Sequence, residues 1–144
     1  MGQLRQGSGV NRSLRAVDGG FEFFDLQFTA AAEAADNIDL TVQLIERMST
    51  SRKVQQAVHA WLYISDVAAP GAGYQALGTA ITSSTILTGA EVHSLSSSQV
   101  KKLVAFDITG LLVVRLNYTA AGTRYLNLLM PDGRVLQSPA LTWV

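Results

Sequence analysis

The stretch IDLTVQL, Ile38–Leu44, decides the fold class of this chain. Apolar and polar side chains alternate through it four times in a row, which is the pattern of a β-strand with one face buried and the other facing water. The same period of two is present upstream at Phe24, Leu26 and Phe28. The Ala-rich segment Ala30–Asp36 between the two stretches is expected to connect two strands.

Downstream, the sequence predicts a strand with two apolar faces over Val54–Ser65, VQQAVHAWLYIS. One face carries Val58, Ala60, Leu62 and Ile64, and the other carries His59, Trp61 and Tyr63. A strand that is apolar on both faces is typical of the middle of a sheet, so we expect a central strand here.

The rest of the chain alternates between turn signals and short apolar stretches. Asp66–Gly78 is rich in Gly and Ala and is expected to be a loop, and Thr79–Gln99 is rich in Ser and Thr and predicts short or irregular edge strands. Further strands are predicted at Lys102–Ile108, Leu111–Tyr118, Thr123–Met130 and Arg134–Val144, with turns between them at Thr109–Gly110, Ala120–Gly122 and Pro131–Gly133. About seven or eight strands at a spacing near ten residues favour an all-β antiparallel sandwich.

Composition limits the classes that remain. The chain has 144 residues, 11 Lys+Arg, 11 Asp+Glu and no Cys, and only 15% of its residues are charged, against about 25% in an ordinary soluble domain. This length fits one domain, and the lack of Cys excludes a disulfide framework and Cys-ligated metal sites. Residues 21–144 are expected to form the sandwich, with 8 Lys+Arg and 10 Asp+Glu for a net charge of −2.

Residues 1–20 differ from the rest and predict an extended N-terminal arm. They contain five Gly, three Arg and one Asp, which gives a net charge of +2, and they show little apolar periodicity. Arg5, Arg12 and Arg15 are candidate contacts with a neighbouring subunit on which the arm becomes ordered. The alternative is that the arm is a disordered tail. Three positive charges are too few to favour a nucleic-acid partner. No apolar run approaches the roughly 18 residues of a membrane span, so no membrane partner is expected.

The sequence offers little for catalysis or cofactor binding. Gly71–Ala76, GAGYQA, matches the glycine spacing of a dinucleotide fingerprint, but a Pro precedes it and no helical pattern follows, so we interpret it as a loop. His59 and His93 are the only histidines, and neither has a second ligand at a suitable spacing. We therefore expect no metal, no cofactor and no enzymatic activity. Trp61 and Tyr63 remain candidate partner contacts, as part of a surface that stacks on sugars or contacts proteins. The alternative is that both side chains are packed in the core.

The segment NIDLTVQLIERMSTSRKVQQAVHAWLYISD, 37–66, resembles a pattern in small structural proteins of tailed bacteriophages. In both, an alternating strand is followed by a polar turn, a strand that ends in Ser-Asp, and a middle rich in Gly, Ala, Ser and Thr. The turn Asp107–Gly110, the Pro-Asp-Gly hairpin at 131–133 and the final apolar strand continue the match. The resemblance covers residues 21–144 and implies an immunoglobulin-like β-sandwich.

The resemblance also implies a function. It predicts a virion protein, synthesised in the host cytoplasm, that decorates or cements the capsid surface by bridging subunits of the major capsid protein. Its partners would be the major capsid protein and copies of itself, in a homo-oligomer for which a trimer is favoured over a dimer. Two alternatives remain open: a carbohydrate-binding sandwich, and a connector module of the phage tail or neck.

Overall fold

A computed structural model describes residues 24–46, 53–68, 81–96 and 101–144, and these form an antiparallel β-structure. The strands are β1 Phe24–Ala30, β2 Asn37–Glu46, β3 His59–Ser65, β4 Ser83–Thr88, β5 Ala90–Ser96, β6 Lys101–Ala105, β7 Leu111–Asn117, β8 Gly122–Leu129, β9 Val135–Gln137 and β10 Leu141–Trp143. Within these ranges there is no helix that is long and apolar enough to cross a membrane. The prediction of an all-β antiparallel sandwich is confirmed.

The positions of the strands within each sheet resemble those of an immunoglobulin domain, although the connections between the strands differ in the middle of the chain. One sheet has the order β1-β2-β7-β4, and the other has the order β9-β8-β3-β6-β5, with β10 also paired to β8. These orders correspond to strands A-B-E-D and G-F-C-C′-C″ of an immunoglobulin variable domain. The middle of the chain departs from that scheme, because β4, in the place of strand D, precedes β5 and β6 in sequence. We call the two layers the ABED-like sheet and the GFC-like sheet.

Side chains from both sheets fill the space between the layers, as the period of two predicts. Ile38, Leu40, Val42 and Leu44 of β2 are all at most 4% exposed. The same core contains Leu112, Val114 and Leu116 of β7, Ala60, Leu62 and Ile64 of β3, and Leu126 and Leu128 of β8. Burying a Leu or Val side chain contributes about 1.5–3 kcal/mol, so this alternation is the main stabilising feature of the fold.

The predicted strand over Val54–Ser65 is wrong in its first half, because the strand begins at His59. The preceding residues carry the chain from one sheet to the other. Val54 N donates to Leu44 O of the ABED-like sheet, whereas Val58 O accepts from Phe106 N directly after β6 of the GFC-like sheet. A segment that bonds to both layers cannot lie in one ladder. The rest of the prediction is confirmed, since β3 lies between β8 and β6 in the middle of its sheet.

The predicted final strand, Arg134–Val144, is two short strands, β9 and β10. The break falls at Ser138–Ala140, where Pro139 has no N–H to give to a ladder. The two pieces pair with different halves of β8, β9 with its last three residues and β10 with its first three. The Ser/Thr-rich segment gives β4 and β5, each at the edge of its sheet, as predicted.

Different devices close the two lateral sides of the sandwich. On the side formed by β4 and β5, Gly89 alone carries the chain from one sheet to the other, with a φ of 94°. A Cβ at that position would overlap the carbonyl oxygen of Ala105, so only Gly fits the corner. On the opposite side, the Arg134 guanidinium at the start of β9 donates to the carbonyl oxygen of Phe24 in β1. We call the β4 and β5 side the bulged side, because both strands contain β-bulges.

Candidate interaction surface

The aromatic stripe predicted on β3 lies on the outer face of the GFC-like sheet, but only part of it reaches the surface. His59 is exposed and Trp61 is half-buried, whereas Tyr63 is only 2% exposed. Tyr63 therefore presents no ring surface for stacking, and Trp61 presents a partial one. The indole that packs between the sheets is that of Trp143, which is 1% exposed. Arg5, Arg12 and Arg15 lie outside the described residues.

A buried amide explains why the outer face is closed beside Tyr63. Asn127 of β8 is 0% exposed and donates from Nδ2 to Ser65 Oγ at 2.9 Å. Its Oδ1 accepts from Gln137 Nε2 at 2.9 Å, and the same nitrogen donates to Val67 O at 2.9 Å. These bonds hold the segment that follows β3 against β8 and β9. This end of the outer face is thus structural rather than open for binding.

The bulged side presents three exposed apolar side chains, one on β4 and two on β5. Leu87 is 45% exposed, Val92 50% and Leu95 62%. Each of the three is an extra residue without a partner in the ladder. In β4, Ile86 pairs with Val114 and Thr88 with Val113, so Leu87 is unpaired. In β5, the pairing with β6 omits Val92 and Leu95 in the same way. A β-bulge inserts one unpaired residue and redirects its side chain, and bulges are common at sheet edges and near functional sites. We call Leu87, Val92 and Leu95 the bulge triad.

A buried lysine fixes the shape of this side. Lys102 points inward from β6 and is 6% exposed. Its Nζ lies 2.6 Å from Glu91 Oε1 of β5 and donates to Ser84 O of β4 at 3.1 Å. Glu91 is therefore held against Lys102 immediately before the bulged Val92, although 40% of its side chain remains exposed. The ion pair leaves β4 and the described part of β5 without an unpaired formal charge beside the bulge triad.

A small pocket opens at the end of the ABED-like sheet where β2 begins and β7 ends. Its volume is about 330 Å³, and its lining consists of Ala31, Ala32, Ala34, Asn37, Asp39 and Arg115. Arg115 donates from Nε to Asp39 Oδ1 at 2.7 Å and from Nη2 to Oδ2 at 2.8 Å. This two-pronged hydrogen bond lowers the pKa of Asp39 and raises that of Arg115. We call this site the alanine pocket.

At the opposite end of β7, the turn Asp107–Gly110 displays an apolar side chain on a tightly bonded backbone. Asp107 Oδ1 accepts from Thr109 Oγ1 at 2.6 Å, Thr109 N at 2.8 Å and Leu111 N at 3.0 Å. The Thr109 hydroxyl bond is the largest of the causes that hold the pKa of Asp107 below its ordinary value. Ile108 projects from this turn and is 78% exposed. We call Asp107 and Ile108 together the turn tip.

A buried glutamine and a glycine hold the turn from below. Gln43 of β2 is 8% exposed and donates from Nε2 to Thr109 O at 3.3 Å and to Gly110 O at 3.1 Å. Gly110 has a φ of 76°, and a Cβ there would overlap the carbonyl oxygen of Val54. The position of Ile108 is therefore set by contacts from two other segments of the chain, β2 and the segment at Val54.

Sequence reasoning missed the bulge triad and the turn tip, although a signal was present for the first. In Ile86-Leu87 two apolar residues are adjacent, and Val92 and Leu95 are three residues apart, so both break the period of two. Such a break is the pattern that a bulge leaves in an edge strand. For Ile108 the Asp-Ile-Thr-Gly segment indicated the turn, but not how far the side chain projects. Within the described ranges, no group of three or more His, Asp or Glu side chains could hold a metal ion.

Comparison with known proteins adds little. No family model matches the sequence, and no curated protein matches it. Among solved structures, that of the Iho670 flagellar-like filament matches with a TM-score of 0.35, 10% sequence identity and coverage of 92% of each chain. A likeness at this level carries no argument about function.

Proposed function

We propose that this protein is a structural subunit of a tailed-phage virion, a capsid cement or decoration protein whose bulged side packs against the major capsid shell. The bulge triad carries the proposal. An isolated apolar side chain on a surface needs no explanation, but here three are displayed by three separate bulges on two adjacent edge strands. Apolar residues grouped within a polar rim are the usual composition of the centre of a protein interface.

The bulges also indicate how the contact forms. A regular edge strand can accept a partner strand into its ladder, whereas bulges twist the edge and interrupt its hydrogen-bonding pattern. β5 has two bulges in seven residues, which makes strand addition there unfavourable. The partner therefore binds through side chains, with the bulge triad entering an apolar depression in the shell. Each contact is small, and repetition over a symmetric lattice supplies avidity.

The resemblance at residues 21–144 and the low charged fraction of 15% support the assignment to a virion. Surface with few charges can be buried against neighbours at a low desolvation cost. A sandwich that forms contacts of this kind needs no reactive group, and none enters the mechanism. Copies of the protein in the same lattice are the second partner.

The test is binding to capsids that lack the protein. A variant with Leu87→Ser, Val92→Ser and Leu95→Ser should fold normally, because all three side chains are at least 45% exposed in the wild type. We expect it to lose co-sedimentation with the particles, while the wild type binds at saturable stoichiometry. The matched control is Val67→Ser, which removes an apolar side chain of similar exposure outside the bulged side.

Three outcomes would contradict the proposal. Equal binding of the triple variant and the wild type would show that the bulge triad is not the contact. Binding only to tails or necks would support the connector role instead. Binding to a glycan array that is lost in Trp61→Ala, with no binding to capsids, would support the carbohydrate-binding alternative.

A further inference from the structure

We infer that copies of this chain associate head to tail, with the turn tip of one copy inserted into the alanine pocket of the next. The two sites differ from the bulge triad, and the inference does not depend on a role in virions. It rests on complementary chemistry at the two ends of one strand, β7.

The two sites match in both their apolar and their charged parts. The turn tip offers a projecting aliphatic side chain, Ile108, directly beside a carboxylate, Asp107. The alanine pocket offers an open depression of about 330 Å³, with three alanines on one side and Asn37 and the Asp39-bound Arg115 guanidinium on the other. An isoleucine side chain fits such a volume, and its insertion brings the carboxylate and the guanidinium together.

Each charged group retains unused hydrogen-bonding capacity. Within the described part of the chain, the bonds that the Asp107 carboxylate accepts all go to Oδ1, which leaves Oδ2 available. Arg115 uses Nε and Nη2 for Asp39, and no bond from Nη1 to a described residue is present. A guanidinium has five N–H donors, so Arg115 can keep Asp39 and still donate to a second carboxylate.

The contact cannot form within one molecule. Ile108 lies in the turn before β7 begins at Leu111, whereas Arg115 lies near the end of β7. Strand residues rise about 3.3 Å each, so the two sites are roughly 20 Å apart. A contact between unlike patches is heterologous, and it generates a ring or an open filament rather than a two-fold dimer.

The turn tip is also suited to binding because it is already ordered. Gln43, the Asp107 carboxylate and the close approach of Gly110 to Val54 hold the backbone in place before any partner arrives. Little conformational entropy is then lost when Ile108 inserts, which is the advantage of a preorganised contact.

The test is sedimentation velocity of the full chain over a range of concentrations, with two variants. Ile108→Ser removes the tip but leaves the pocket. Ala32→Glu fills the pocket and gives Arg115 a carboxylate of its own, but leaves the tip. We expect the wild type to form species larger than a dimer as the concentration rises, and each variant to weaken this association by more than about tenfold.

Mixing the variants separates this inference from other modes of association. An equimolar mixture retains one intact tip and one intact pocket, so it should form a one-to-one dimer that does not grow. Val67→Ser and Gln27→Glu are the controls, since they make equivalent changes outside both sites, and they should behave as the wild type. Circular dichroism checks that each variant is folded, and Ala32→Gln replaces Ala32→Glu if the latter is not.

Three results would overturn the inference: a wild type that stays monomeric at all concentrations, variants that associate as strongly as the wild type, or a mixture that remains monomeric. Repeating the series with Leu87, Val92 and Leu95 changed to Ser removes any association through the bulge triad. Head-to-tail association should persist in that background, so failure of the proposed function and failure of this inference are distinguishable.

Discussion

Trp143 donates its indole N–H to the carbonyl oxygen of Asp36 at 3.0 Å, which joins β10 of one sheet to the loop that leads into β2 of the other. The same oxygen accepts from Tyr118 N at 3.0 Å. Asp36 has a φ of 66°, a conformation unusual for any residue but Gly, and these bonds hold it there. The Tyr118 ring meets Trp143 edge to face, with the ring centroids 5.8 Å apart.

The first prediction concerns this bond. Trp143→Phe keeps most of the buried ring but removes the donor, and we expect the free energy of unfolding to fall by about 2 kcal/mol in urea titrations. Trp61→Phe is the matched control and should cost less than about 1 kcal/mol, because Trp61 is only half-buried. Equal losses for the two variants would show that the Asp36 bond does not stabilise the fold.

The second prediction compares two glycines with positive φ. Gly110 has a φ of 76° and Gly133 has a φ of 89°, but a Cβ at Gly110 would overlap Val54 O, whereas one at Gly133 would meet nothing within 4 Å. Gly133→Ala should therefore cost about 1 kcal/mol from the backbone conformation alone. Gly110→Ala should cost more than about 3 kcal/mol, since the crossing segment must move. Thermal and urea unfolding measure both, and similar costs would contradict the account of the turn.

Features of the fold that depend on neighbouring residues were predictable from the sequence, whereas features that depend on residues far apart in the chain were not. The period of two in Ile38–Leu44 depends only on alternate burial, so the strand and its inner face were predictable. The crossing between the sheets at Val54–Val58 was not predictable, because it depends on a bond from Val54 to Leu44 in one sheet and a bond from Phe106, next to the other sheet, to Val58. Local pattern cannot specify to which layer a segment will bond.

On the candidate surface, too, local features were predictable and features that depend on distant residues were not. Edge strands were expected from the Ser and Thr content of Thr79–Gln99, and β4 and β5 are edge strands. The display of Leu87, Val92 and Leu95 was not foreseen, because the position of a bulge depends on the register against β7 and β6. Tyr63 was a candidate contact from its place beside Trp61, but its burial depends on the strands that flank β3.

The third prediction tests the ion pair on the bulged side. Glu91→Ala leaves the buried Lys102 with the Ser84 carbonyl oxygen as its only described partner. We expect the free energy of unfolding to fall by about 3 kcal/mol. Lys102→Met replaces the buried cation with an apolar chain of similar length and leaves Glu91, which is 40% exposed, free to be hydrated. That variant should lose less than about 1.5 kcal/mol. The reverse order of the two losses in urea unfolding would contradict this account.

The fourth prediction concerns pH. Hydrogen bonds from Thr109 and Leu111 lower the folded-state pKa of Asp107 below its ordinary value of 3.8, so folding favours the ionised carboxylate. The resulting stabilisation is present above the unfolded-state pKa and is lost as the pH falls through the folded-state pKa. Asp107→Asn should therefore be less stable than the wild type at neutral pH, with a difference that shrinks in acid.

Urea unfolding at a series of pH values measures this difference. Asp66→Asn is the control for the loss of one carboxylate, because its side chain is exposed and makes no hydrogen bond to another described residue. A difference between Asp107→Asn and the wild type that is independent of pH would contradict the assignment of the shift to the ionised carboxylate.

The central claim is that this sandwich works by packing its bulged side against a neighbouring subunit of a virion. Cryo-electron microscopy of purified particles that contain the protein tests it most directly, because the map locates the chain and identifies the residues at its contacts. We predict density for the sandwich on the capsid, with Leu87, Val92 and Leu95 buried against the shell. A sandwich whose bulge triad faces solvent, or a chain found in infected-cell lysate and never in particles, would contradict the claim.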